Sequence, residues 1–492
     1  MSDNVKKIGL FGLIAMVVGS MIGGGVFNIP SNMADSSALG PVIIAWLITA
    51  LGMYFLANTF KILSEKRPDL SSGIYSYASA GFGKYVGFNS AWGYWLSAAI
   101  GNVSFAVMVM DALGFFFPVF HGGNNWQSIV GGTIIIWGMN ALVMRGVNGA
   151  ALLNVISTVA KLIPLFLFII ILLFAFHWDK MSFDLWGTQN PSLGDIPKQL
   201  KGTMLVTLWA FIGIEGAVVI SGRAKNKKDV GKATLIGFIG ALLIYASISI
   251  FSFGIMNQAN LAKLESPSTA YVLQAIVGNW GAILINIGII ISILGAWIAW
   301  TIITAEVSST AAEEGVLPKY LKRLNKKQSP APALITTSII MQITLFTVLI
   351  ANNAYMAIIS MAGSMILIPY ALSAMYLWKL SSGGKGFEKD NKGKIFAVIT
   401  GIIATVYGIW LVYAAGLKYI LMASILYALG ILVYIRAHKE KKTDDILFKP
   451  YEKIIAIILV ILALIAAVMM IAGHITIEHW VEWFDTHYKN LR

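Results

Sequence analysis

Thirteen apolar runs, each near or above the roughly 20 residues that a membrane-spanning helix needs, constrain this chain more than any other feature. They lie at roughly 9–29, 41–62, 87–118, 128–144, 152–176, 199–222, 233–256, 280–312, 332–351, 354–378, 395–413, 417–436 and 453–474. Lipid offers no water to open strand edges, so each run is expected to be a helix. None shows the apolar–polar alternation of a membrane barrel. Composition agrees. Of 492 residues 58% are hydrophobic and 12% charged, against roughly 25% charged in an ordinary soluble domain. A soluble enzyme, a disordered chain and a fibrous one are excluded. The expected fold class is an all-α polytopic membrane protein with about 13 transmembrane spans.

The net charge of +13 is explained by where the charges sit. Of the 36 Lys and Arg, 28 flank one set of run ends and 7 the other, while Lys161 lies inside a run. By the positive-inside rule the first set is cytoplasmic. The N-terminus is then expected inside and, after thirteen spans, the C-terminus outside. The basic excess is topological, and no nucleic-acid partner is needed. MSDNVKK leads straight into the first run with no small-residue cleavage site, so no removable signal is expected. Residues 381–394, SSGGKGFEKDNKGK, read as a flexible cytoplasmic linker. It divides a transport core, 1–380, from C-terminal helices and an external tail, 395–492. No cysteine and six histidines argue against a disulfide framework or metal site, and no cofactor is expected.

Two runs are interrupted. The first holds Gly19-Ser20-Met21-Ile22-Gly23-Gly24-Gly25-Val26-Phe27 and then Pro30. Each glycine is about 1 kcal/mol poorer than alanine in a helix. A break there would turn backbone N–H groups and a positive dipole end toward a carboxylate; close packing of small residues is the alternative. The sixth run holds Trp209-Ala210-Phe211-Ile212-Gly213-Ile214-Glu215-Gly216. A carboxylate at that depth costs about 2.5–3.5 kcal/mol, so Glu215 should face a cavity or a partner. Interruptions five runs apart point to an inverted-repeat transporter with its site at the bilayer midplane.

GSMIGGGVFNIP, LWAFIGIEG and AAEEGVLPKYLKRLNKKQSP resemble the amino acid–polyamine–organocation transporters. Within them the chain resembles the bacterial basic amino acid antiporters, the arginine/ornithine exchangers in particular. The similarity includes NSAWGYWLSAAIGNVSF and runs from about residue 8 to the last span. The resemblance implies a LeuT-type 5+5 inverted repeat followed by extra C-terminal helices, in the bacterial cell (inner) membrane. It also implies roles. Met21, Ile22, Gly23, Gly24 and Gly25 would bind the substrate's carboxylate and amino group through backbone atoms. Trp209 would be an aromatic lid, with an Ile212 carbonyl beside it. Ser97, Ala98, Asn102 and Phe105 would be pocket positions, with Tyr94 and Glu215 as gates. Trp300 would stack on the substrate side chain; a guanidinium over an indole gains up to about 2 kcal/mol when desolvated. Interface anchoring is the alternative for both tryptophans.

Two positions depart from the arginine/agmatine exchangers of this family. Gly24 replaces a serine, and Glu306 stands where a neutral amide is expected. Glu306 either helps hold a cationic substrate or packs nearer the cytoplasmic end. Lys161 resembles a lysine that occupies the sodium position in proton-coupled or sodium-independent relatives, bridging carbonyls of the first and eighth runs; a lysine snorkelling to the surface is the alternative. Asp111 is read either as a cation-attracting vestibule residue or as a capping residue near the surface.

The expected function is therefore sodium-independent antiport of cationic amino acids, arginine in for ornithine out, by alternating access. The partners are small amino acids and the lipid bilayer, with a homodimer admitted as an assembly. Exchange of an amino acid for its decarboxylated amine (histidine/histamine, lysine/cadaverine or tyrosine/tyramine) is an alternative, as is proton-coupled uptake. A membrane-embedded enzyme is disfavoured, because the interrupted runs hold no histidine and no nucleotide fold is evident.

Overall fold

The computed structural model describes residues 7–70, 73–350, 352–384, 386–388, 391–441 and 446–472. Among these the chain is helical, with one isolated backbone bridge between Ile8 and Ala224. The first run is a broken helix. α1 (Leu10–Met21) stops at the glycines, a single 3₁₀ turn covers Gly25–Asn28, and α2 (Ile29–Ser36) continues. The two halves are bent by 45°. α3 (Leu39–Lys66), the short α4 (Ile74–Phe82), α5 (Lys84–Gly114), α6 (Trp126–Met144) and α7 (Val147–Phe174) follow. A surface turn, α8 (Trp178–Ser182), precedes the sixth run. That run is also broken: α9 (Ile196–Ala210) ends in a turn over 211–215, and α10 (Gly216–Val219) resumes for one turn.

α11 (Lys228–Ser252) leads to two short helices, α12 (Gln258–Ala262) and α13 (Ser268–Val277). Then come α14 (Asn279–Glu313), α15 (Ala331–Ile350), α16 (Asn352–Ser382), α17 (Asn391–Ala414), α18 (Leu417–Lys441) and α19 (Pro450–Ile471). Eleven of these helices are long and apolar enough to cross a membrane, and the bent α1–α2 pair adds a twelfth candidate. The remaining run, the sixth, corresponds to the broken α9–α10, whose longest piece has 15 residues. The tail beyond residue 472 lies outside the described residues.

The core sits where α1, α5, α7, α11 and α14 pack together, sealed by Phe27, Tyr94, Phe168 and Trp297. Large apolar side chains such as Leu47, Ile134, Ile163 and Leu243 face outward, as expected where the solvent is hydrocarbon. Beyond the 381–394 stretch the chain stays against the core. α17 packs along α16 and α3, close enough that a side chain at Gly401 would meet the Trp378 backbone. α19 is the least covered helix, with 11% of its apolar stretch buried. One of its residues is the exception. Glu452 is 2% exposed and accepts from the Lys449 N–H at 2.8 Å, capping α19, and from the Tyr85 N–H at 3.0 Å in the first turn of α5. Both amides belong to turns that have no carbonyl of their own helix to donate to.

Candidate substrate site

A cavity of about 910 Å³ opens between the two broken helices, near the upper end of the range for small-molecule sites, roughly 300–1,000 Å³. Most of its wall comes from α9, α5, the α1–α2 break, α14 and α16, and periodicity explains which side chains reach it. From α9, Lys198, Lys201, Gly202, Val206 and Trp209 line it, a single stripe at helical spacing. From α5 come Ser97, Ala98, Asn102, Phe105 and Met108, again one face. The α1–α2 break gives Ser20, Met21 and Gly23–Gly25, α14 gives Trp300, and α16 gives Ala362, Gly363 and Ile366.

The glycines have different reasons. A Cβ at Gly24 would displace the Met108 methyl and lie 3.0 Å from Ile293 Cγ1, so packing presses on Gly24 from two helices. A Cβ at Gly25 would meet nothing within 4 Å. Gly25 borders the cavity and begins the 3₁₀ turn, whose leading N–H groups have no partner within the turn. That is the local chemistry suited to a carboxylate.

The broken ends are tied to each other and to their neighbours. Ser20 Oγ donates to the Gly213 carbonyl at 2.8 Å, joining the two breaks. Gly213 has φ +109° and would carry a Cβ 2.8 Å from the Ser20 backbone, so only glycine fits. Trp300 Nε1 donates to the Ser20 carbonyl at 2.9 Å, and its ring stacks on Tyr94 at 6.3 Å. Ser292 Oγ donates to the Gly23 carbonyl at 2.9 Å. Asn102 is 1% exposed and its amide nitrogen has no hydrogen-bond partner among the described residues. A buried amide left so is costly, about 1–3 kcal/mol, which suits a group that meets a bound polar ligand.

The structure gathers Met21, Gly23, Gly24, Gly25, Ser97, Ala98, Asn102, Phe105, Trp209, Ile212 and Trp300 around the cavity. Ile22 is not in its wall. It is fully buried, and its carbonyl accepts from Lys161 Nζ, as does the Gly19 carbonyl at 2.9 Å. Both of these carbonyls belong to the first run. Among the described residues no eighth-run carbonyl accepts from Lys161; Ser292 of that run donates its hydroxyl to the Gly23 carbonyl and, at 3.4 Å, to that of Ile22.

Tyr94 and Glu215 lie behind the floor. Tyr94 donates to Glu215 Oε1 at 2.5 Å, Tyr370 donates to Oε2, and the Gly213 N–H reaches Oε2 at 3.2 Å. Glu215 therefore faces partners and not the cavity. It joins α5, the sixth-run break and α16. Glu306 is also outside the cavity. Six residues past Trp300 on α14, it sits about 9 Å further along the axis, paired with Arg223 at 2.6 Å. Asp111 accepts from the Gly122 N–H at 2.9 Å and lines no part of the cavity. Tyr370, Ser20, Ser292 and the two α9 lysines were not singled out from sequence.

A family model described as amino acid permease matches residues 8–418. An arginine/agmatine antiporter of Chlamydia caviae is 49% identical over 94% of this chain and 96% of its own length. One from Chlamydia pneumoniae is 48% identical over 96% of this chain and 98% of its own. An arginine/ornithine antiporter of Pseudomonas aeruginosa is 45% identical over 96% of this chain and 99% of its own.

Proposed function

Because this chain belongs to the amino acid permease family, we propose that it exchanges cationic amino acids, arginine entering against ornithine, without sodium. It is a multi-pass membrane transporter and not an enzyme. The observation that carries the proposal is the facing pair in one cavity: the Gly23–Gly25 break, suited to a carboxylate, and the Trp300 ring, suited to a flat cation. Asn102 would donate to the polar part of the ligand. Trp209 would close over it, and the Tyr94–Glu215–Tyr370 cluster and the Arg223–Glu306 pair would hold the opposite path shut. Lys161 would stand in for a cation at the first-run carbonyls.

The cavity reaches the face that carries Ser192 and Lys198. By the Lys/Arg distribution that face is external, so the state is open outward, with the N-terminus cytoplasmic and the membrane a bacterial inner one. The names of the Chlamydia relatives favour arginine/agmatine exchange as a second reading. Counterflow in proteoliposomes separates the two. Arginine against ornithine moves no net charge, whereas arginine against a dicationic amine responds to membrane potential. Uptake of arginine into vesicles loaded with ornithine, indifferent to sodium and potential, is the expected result. Strong uptake into empty vesicles would overturn antiport.

A further inference from the structure

The mouth of the cavity carries the wrong charge for a site that merely attracts cations. Lys198 and Lys201 lie three residues apart on α9 and border the cavity with one carboxylate, Asp35 of α2. The rim is net positive. Lys198 lays its stem over Gly194 and sets its Nζ 3.4 Å from the Ser192 carbonyl, while the Lys201 ammonium makes no hydrogen bond or ion pair among the described residues. No acid deeper in the cavity offsets them. Glu215 is occupied by two tyrosines and Glu306 by Arg223.

We propose that Lys198 and Lys201 form an electrostatic filter at the cavity mouth that admits monocationic amino acids and discriminates against dicationic amines. This rests on the proposed function and sharpens its substrate class. The filter acts on entry. Lys201 lies eight residues before Trp209 on one helix, about 12 Å along the axis, which exceeds the Debye length of about 8 Å at physiological salt. A substrate seated under Trp209 is further from the lysines and feels them less than one passing the rim. The local concentration of a cation at the rim falls by a Boltzmann factor whose exponent is its net charge. A monocation suffers that factor once and a dication suffers its square. The amine is penalised again inside, because it brings no carboxylate to the N–H groups at the glycine break. Arginine and ornithine share charge and carboxylate, so the filter treats them alike.

The test measures exchange in proteoliposomes for wild type, Lys198→Gln, Lys201→Gln, the double variant and Lys201→Arg. The external substrates are arginine, ornithine and agmatine. Lys263→Gln, whose side chain is exposed and lines no part of the cavity, is the control and should match wild type. The double variant should raise kcat/KM for all three substrates with little change in kcat. The gain for agmatine should be about the square of the gain for arginine, for example about ninefold against about threefold. The gains should shrink as ionic strength rises, and Lys201→Arg should keep wild-type selectivity. Equal gains for mono- and dication, or none, with arginine/ornithine exchange intact in wild type, would overturn the filter alone. Absence of arginine/ornithine exchange in wild type would overturn the proposed function on which it rests. The single variants decide if the double variant does not fold.

Discussion

Lys161 and Gly25 are the two residues where a single change should speak most directly to the site. Lys161 is fully buried and donates hydrogen bonds to the Gly19 and Ile22 carbonyls. Truncating it strands the Gly19 carbonyl and leaves that of Ile22 only the Ser292 hydroxyl at 3.4 Å, at about 1–3 kcal/mol for an unpaired buried group. Lys161→Ala should therefore cut exchange by roughly tenfold or more while the protein still inserts; paired counterflow and size-exclusion measurements check this. Gly25 tests the opposite kind of contribution. Its missing side chain leaves open space, so Gly25→Ala should leave thermal stability unchanged yet weaken arginine binding by calorimetry. Wild-type affinity in that variant would place the carboxylate elsewhere. Both residues were legible from sequence, Lys161 as a lone cation inside an apolar run and Gly25 as part of a glycine triplet. Which glycine is structural was not, because that depends on Met108 and Ile293 arriving from other helices.

Among elements, α9 and α16 meet in the cavity wall at one point, the Trp209 indole against Gly363. A Cβ at Gly363 would overlap the Trp209 indole, so the ring rests on bare backbone. Gly363→Ala should push Trp209 off its seat and slow exchange. Trp209→Phe, with a smaller ring, should restore part of the rate in the double variant, and steady-state exchange rates of the four combinations measure the coupling. This seat, like Tyr370 against Glu215 across 155 residues of sequence, left no local trace. Spacing within one helix shows which residues share a face, but not which face of a distant helix they meet. The helix breaks themselves were legible, because glycine runs announce them. The chain's departures from the apolar runs were less so. α2 runs on to Ser36, past the first run, and α8, α12 and α13 lie in the loops between runs, where Pro, Gly, Asn and Ser signal turns and short surface helices alike; helices this short carry too little periodicity to be bounded from sequence.

For the whole molecule, the Lys/Arg distribution predicts that a reporter fused after Arg492 is exposed outside; cytoplasmic activity there would mean an even number of spans. The long apolar runs made the helical architecture legible because lipid fixes a minimum span length. How the last helices relate to the rest was not legible, since α19 looks from sequence like one more lipid-facing span. Its one buried carboxylate changes that picture. Glu452 serves the first amides of α19 and α5 together, and withdrawing it would undo two caps at about 1 kcal/mol each. Glu452→Ala should accordingly lower the melting temperature more than loss of either cap alone, with Glu452→Gln intermediate, by thermal unfolding in detergent. α5 carries a whole wall of the cavity, and its foot is clamped to a helix bathed in lipid. In mechanical terms that foot is a bracket bolted to the membrane side of the machine. One wall of the cavity is thereby tied, through a single carboxylate, to the helix that its neighbours cover least.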